Sequence, residues 1–127
     1  MARILICDDD HHFFEMAALG LRAKQHTVQW AKDPMDLHSA LIGYTPELVI
    51  LDTQMPEGGG PEAQKILDAK FGEGLPTVMC SGMPIEHQKQ WYPARPNRRY
   101  VNKPTSLENL LAVVGELLKK FPPPPAA

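Results

Sequence analysis

Leu48-Val49-Ile50-Leu51-Asp52-Thr53-Gln54-Met55-Pro56 is the stretch on which the fold turns. Glu47 to Leu51 (E-L-V-I-L) is a short apolar run without alternation of polar and apolar positions. That pattern predicts a strand buried on both faces, as in a parallel sheet covered by helices on each side. The run ends abruptly on Asp52. From Met55 to Pro61 three glycines and two prolines follow, which predicts a loop at the strand's carboxyl end.

Working outward, similar runs alternate with helix-period segments. Arg3 to Cys7 reads as strand 1, and residues 11 to 25 follow with Phe14, Ala17, Ala18 and Leu21 at helical spacing. Thr27 to Ala31 is strand 2. In the next helix Asp33 is placed to cap, Pro34 suits the first helical position, and Leu37, Ala40, Leu41 and Tyr44 make the inner face. Beyond the loop come a helix from about Pro61 to Phe71, strand 4 at Thr77 to Cys80, a short strand 5 at Arg99 to Asn102, and a last helix from about Ser106 to Lys120. That helix carries Leu107, Leu110, Leu111, Val114, Leu117, Leu118 and Phe121 on one stripe.

Strands alternating with helices imply an α/β, doubly wound domain. Between strands 4 and 5, Pro84, Pro93 and Pro96 leave only about Ile85 to Tyr92 free for a helix, so the fourth helix is expected to be short or irregular. The whole stretch from Pro84 to Arg98 is expected to be the least regular and most mobile part of the domain. Residues 1 to 121 read as one domain, and 122 to 127 as a proline-rich tail or the start of a linker.

Bulk properties narrow the function. With 127 residues, 43% hydrophobic and 22% charged, the chain reads as globular. A net charge of -2 gives no electrostatic reason for nucleic acid or an anionic membrane as a partner. No apolar run approaches the length of about 18 residues that spans a bilayer, and no signal-peptide pattern opens the sequence. The two cysteines, Cys7 and Cys80, fall in predicted strands and make no disulfide framework. A reducing, cytoplasmic location is expected.

Four polar features follow the carboxyl ends of strands: Asp8-Asp9-Asp10, Asp52, Ser81 and Lys103. Taken singly they read as a cap cluster, a turn former, a helix cap and a surface lysine. Together, at the sheet edge where such folds bind ligands, they suit phosphoryl transfer to a carboxylate. Close carboxylates attract a hard divalent cation such as magnesium, which offsets repulsion between an anionic nucleophile and an anionic donor. A lysine and a hydroxyl can hold the remaining phosphoryl oxygens.

Ile4-Leu5-Ile6-Cys7-Asp8-Asp9-Asp10, the Leu48 to Pro56 stretch with Gly60 behind it, Ser81-Gly82, and Tyr100-Val101-Asn102-Lys103-Pro104 resemble, in order and spacing, the motifs of response-regulator receiver domains. The resemblance covers residues 3 to about 121. It implies a flavodoxin-like sheet of five parallel strands in the order 2-1-3-4-5. It further implies that Asp52 is the phosphoacceptor, and that Mg2+ is held by Asp9, Asp52 and the backbone carbonyl of Gln54, with Asp8 acting through water. Ser81, Gly82 and Lys103 would contact the phosphoryl group, Ser81 and Tyr100 would form the switch, and the bond to Pro104 is a candidate cis peptide. The implied partners are a sensor histidine kinase or histidine phosphotransfer protein and an output protein or fused effector domain. Self-phosphorylation with magnesium and slow self-dephosphorylation are implied too, rather than turnover as an enzyme.

Other readings use parts of the same residues. A receiver-shaped module that is never phosphorylated would share the fold. Asp8 and Asp10 have the D-x-D spacing of haloacid-dehalogenase-like phosphatases, but His12 replaces their hydroxyl residue and no acidic pair follows Lys103. The acidic loop after strand 1 is wrong for an FMN phosphate. His11 and His12 read as the exposed first turn of a helix rather than a transition-metal site. Trp91 and Tyr92 either pack down in place of a full helix or meet a partner. Arg95, Arg98 and Arg99 read as a solvated face.

Overall fold

The computed structural model describes residues 1 to 55 and 59 to 123. The predicted loop's Pro56, Glu57 and Gly58, and tail residues 124 to 127, lie outside the described residues. Five strands, β1 (Arg3–Cys7), β2 (Thr27–Ala31), β3 (Leu48–Asp52), β4 (Thr77–Ser81) and β5 (Arg98–Asn102), alternate with α1 (His11–Ala23), α2 (Pro34–Gly43), α3 (Gly59–Phe71), α4 (Ile85–Trp91) and α5 (Leu107–Lys120). All strand pairs are parallel, in the order β2-β1-β3-β4-β5. The expected doubly wound sheet is the observed one.

The period of two along each strand divides the core. Ile4, Ile6, Leu48, Ile50, Val78, Cys80 and Val101 face α1 and α5. Leu5, Cys7, Val49, Leu51 and Met79 face α2 and α3. With every residue of β3 and β4 buried, neither strand shows polar alternation, which is the sequence pattern from which the fold was read. Cys7 and Cys80 therefore project from opposite faces, two strands apart, and both are free thiols. Burial pushes the Cys80 thiol up to about 12 and Cys7 higher still, with the charge of Asp8 adding to the rise at Cys7. Neither thiol is expected to react with Ellman's reagent until the protein unfolds. Rapid titration of either one in native buffer would contradict this packing.

Several boundaries move. β3 runs from Leu48 to Asp52 rather than from Glu47 to Leu51, because Asp52 still pairs with Cys80 while the Glu47 carboxylate turns back to accept from the Arg3 backbone N–H at 2.9 Å. β4 gains Ser81 and β5 gains Arg98, which pair with Asn102 and Thr77. α1 ends at Ala23, and Gln25 takes a positive φ of 68° at the turn into β2. α3 begins at Gly59, not Pro61, since proline is tolerated in a helix's first turn where its missing N–H leaves no intrahelical bond unmade. It ends ahead of Gly72, whose φ of 62° suits a residue without a β-carbon.

The largest correction concerns the arginines after α4. That helix is short, seven residues ending before Pro93, and the chain beyond it is fastened rather than solvated. Arg98 is only 3% exposed, donating to Thr77 Oγ1 at 3.2 Å and to the Pro93 carbonyl at 2.8 Å. Arg95 makes two parallel 3.1 Å hydrogen bonds to the Asp68 carboxylate of α3. Arg99 pairs with Glu116 at 2.6 Å. Tyr92 is buried among the residues facing α2 and α3, whereas Trp91 points outward. With few helical hydrogen bonds available to this proline-interrupted stretch, planar guanidinium groups bond its backbone and neighbours instead.

Candidate functional site

The carboxyl ends of β1, β3, β4 and β5 bring the predicted polar residues to one edge of the sheet. Asp8 and Asp52 are almost fully buried, while Asp9 is exposed. The three carboxylates each offer an oxygen within 4.8 Å of the others. Lys103 reaches in from the end of β5 and donates to Asp8 Oδ2 at 2.6 Å, with Asp52 Oδ2 at 3.7 Å.

The third aspartate of the run does something else. Asp10 caps α1, accepting from the backbone N–H groups of His12 and Phe13 at 3.0 and 3.2 Å. Its D-x-D spacing with Asp8 therefore does not bring a second carboxylate of that pair into the pocket. His11 lies in the exposed first turn, 3.0 Å from Glu15 and against the Trp30 ring.

The two oxygens of Asp52 differ in their partners, Oδ2 lying 3.7 Å from the Lys103 ammonium. Its Oδ1 accepts from the Gln54 backbone N–H at 2.9 Å. Ser81, fully buried at the end of β4, donates from Oγ to the Gln54 side-chain oxygen at 3.0 Å and accepts from the Met83 N–H at 3.0 Å. At Gly82 an added β-carbon would lie 3.4 Å from that Gln54 oxygen, so a small residue suits the position. Tyr100 is half-buried, and its hydroxyl donates to the Tyr92 carbonyl. The Lys103–Pro104 peptide bond is cis.

A match to the response regulator receiver domain model runs over residues 4 to 115. The chain belongs to that family.

The receiver is 27% identical over 122 residues to the "DNA-binding dual master transcriptional regulator RpaA" of Synechocystis sp., covering 94% of this chain and 50% of that protein. It is 28% identical over 125 residues to the "Response regulator MprA" of Mycobacterium tuberculosis, covering 98% of this chain and 54% of that one. The chain thus spans about half the length of these curated relatives. Among solved structures, a two-component response regulator from Clostridium difficile superposes with a TM-score of 0.84 at 20% identity, covering 97% of this chain and all of that one. The chemotaxis response regulator CheY4 of Vibrio cholerae gives 0.80 at 24% identity, covering 93% and 99%. At such identities the structural likeness speaks for the fold.

Electrostatically, the receiver's pocket holds more negative charge than its lysine balances. Burial pushes the Asp52 carboxyl up to about 6; the Gln54 N–H opposes this, Asp8 adds to it and Lys103 opposes it. For Lys103, burial favours the neutral amine, but the bond to Asp8 and the charge of Asp52 outweigh burial and hold its pKa above the ordinary range. The donor set is hard oxygen with one exposed member, and it suits a small divalent cation that keeps several waters.

Three contributors to the site had escaped sequence reading. The Trp30 indole, on β2, donates to the Asp8 backbone carbonyl at 2.8 Å, fixing the turn that carries Asp8 and Asp9. Phe13 lies beneath the lysine, with its ring centre 4.4 Å from Lys103 Nζ. The Gln54 side chain, expected to matter only through its backbone, holds Ser81. Phe13 could have been suspected from its place one turn beyond the aspartate run. Trp30 looks in sequence like any strand residue.

Proposed function

We propose that this receiver accepts a phosphoryl group on Asp52 from a histidine kinase or a histidine phosphotransfer protein, and that the resulting acyl phosphate alters an output partner. The observation that carries the reading is the asymmetry of Asp52. Its Oδ1 is tied to the Gln54 N–H, while Oδ2 has no backbone donor among the described residues and lies 3.7 Å from the Lys103 ammonium. Oδ2 is the nucleophile: its bond to phosphorus forms as the phosphorus–nitrogen bond of a phosphohistidine breaks and the electron pair leaves with the imidazole. Lys103 neutralises charge on the incoming group, at the cost of its hold on Asp8. Ser81 can turn its hydroxyl from Gln54 to a phosphoryl oxygen, and Tyr100 follows from its present bond to the Tyr92 carbonyl.

Asp9, Asp52 and the Gln54 carbonyl, with Asp8 acting through water, would hold magnesium, which would supply charge neutralisation between nucleophile and donor. Calorimetry should show weak magnesium binding to the parent, and affinity lower on the order of tenfold in Asp9→Ala, because one of few charged ligands is lost. Equal affinity in the two proteins would remove Asp9 from the site.

The deciding measurement is intact mass after treatment with acetyl phosphate and magnesium. The parent should gain the mass of one phosphoryl group, and Asp52→Asn none. A parent that stays unlabelled would make this a receiver-shaped interaction module. Slow loss of the label on standing is expected, since water reaches the pocket from the Asp9 side. We place the output in a protein or domain beyond the matched residues, and residues 122 to 127 as the start of a tail or linker.

A further inference from the structure

Two shallow cavities run end to end between α2 and α3. Both are lined by His38, Glu62 and Ile66, so they form one continuous groove. At one end lies Met35, 81% exposed, and at the other Ile42, 79% exposed. Exposed apolar side chains gathered along one groove can mark an interaction surface. The two lie seven residues apart on α2, about two turns, and therefore on one face of the helix.

Charged residues line the groove as well: Asp33 and Glu62, and Lys65 and Lys70, the outer pair Glu62 and Lys70 lying eight residues apart on α3. α2 and α3 each join one parallel strand to the next, so the helices run in the same direction. Glu62 lines both halves and sits one turn N-terminal to Ile66, toward Met35, while Lys70 lines only the Ile42 half. The midpoint of Glu62 and Lys70 along α3 is Ile66, and that of Met35 and Ile42 along α2 falls beside His38. Both central residues line both halves of the groove.

We propose that this groove is the interface of a two-fold symmetric dimer of this chain, its axis passing between His38 and Ile66. Rotation about that axis lays Met35 of one copy on Ile42 of the other and Glu62 of one copy on Lys70 of the other, each contact occurring twice. The Lys70 ammonium donates one hydrogen to the Leu41 carbonyl at 3.1 Å, leaving two for a carboxylate across the interface. A peptide of one charge sign would meet one end favourably and the other unfavourably. A second copy satisfies both ends at once, and this favours it over a foreign segment. The interface is separate from the phosphoacceptor pocket and does not depend on the chemistry proposed for Asp52.

Sedimentation of the 127-residue chain tests this. Over a range up to about 1 mM, the weak limit for a specific complex, the parent should pass from the 14.2 kDa of one chain to twice that mass. Glu62→Lys puts lysine against Lys70 of the other copy, and Lys70→Glu puts glutamate against Glu62, so each variant alone should remain a monomer. Mixed in equal amounts, the two variants should form a heterodimer, because both contacts between positions 62 and 70 then join opposite charges. Ile42→Lys should be monomeric with or without a partner variant. Circular dichroism showing native helix content in each variant separates lost association from lost folding. A parent monomeric throughout the range overturns the proposal, whatever else the groove binds. So does a dimer that both charge reversals leave intact, or a mixture that fails to associate although the parent does.

Discussion

In metal-free buffer above pH 7, Asp52→Asn should be more stable than the parent, by about 3 kcal/mol for a carboxyl shifted by about two units. In a chain of this length that is a rise in melting temperature on the order of 10 °C. Asp52 is buried beside Asp8, and its carboxyl is pushed up to about 6 from an ordinary value of 3.8. Between those values the folded protein holds a proton that the unfolded chain releases. Parent stability should therefore fall as pH rises through about 4 to 6 and stay low above it. Asparagine carries no charge and can still accept from the Gln54 N–H, so its contribution over that window should be flat. Thermal melts of both proteins in a chelator between pH 4 and pH 8 are the check. Added magnesium should close most of the gap, by raising the parent. A parent whose stability did not fall across the window would mean that Lys103 already balances the pocket.

Lys103→Met should act in the opposite direction, lowering metal-free stability at pH 8 by about 3 kcal/mol, the lower range for breaking a buried ion pair. The ammonium lies 2.6 Å from Asp8 and 3.7 Å from Asp52, and its loss leaves two buried carboxylates facing each other. Methionine keeps an unbranched chain of similar length without the charge, so the loss is chiefly electrostatic. Combining Lys103→Met with Asp52→Asn should recover a large part of the deficit, because only one buried charge then remains to be balanced. Denaturant titration of the four proteins in this cycle gives the coupling directly. Strict additivity would show that Lys103 and Asp52 do not share a field. The lysine variant should still fold and, with magnesium, still take up a phosphoryl group, but with weaker transmission to Tyr100.

Both effects depend on a pocket whose members were legible in sequence to different degrees. Asp52 and Lys103 announce themselves by following the stretches that read as strand 3 and strand 5, and a parallel sheet places every such strand end on one side. The aspartate run is legible as a group but not in its division of labour. Asp10 caps a helix, Asp8 is buried against a lysine 95 residues away, and Asp9 faces water. All three can cap or ligate, so residue type does not distinguish them; the direction of each side chain at the turn does.

The stretch after α4 shows the opposite limit. Its prolines shorten the helix by a local rule, the missing backbone donor, and that much is visible in the sequence. Arginine's usual place is the surface, and nothing near Arg95 or Arg98 in the chain marks them as anchors. Their partners, Asp68 and Thr77, lie 27 and 21 residues away.

By itself, then, the sequence determined the strand and helix order, the parallel sheet, and the residue types gathered at its carboxyl edge. These follow from periodicity and from short-range chain stereochemistry, which act within a few residues. Only the tertiary structure decided that Trp30 fixes the Asp8 turn, that Gln54 holds Ser81, that Tyr92 rather than Trp91 is buried, and that Met35 and Ile42 share a groove with Glu62 and Lys70. Those pairings join residues on different elements. Which side chains meet there is set by how helices pack on a twisted sheet, and local pattern carries no record of that geometry.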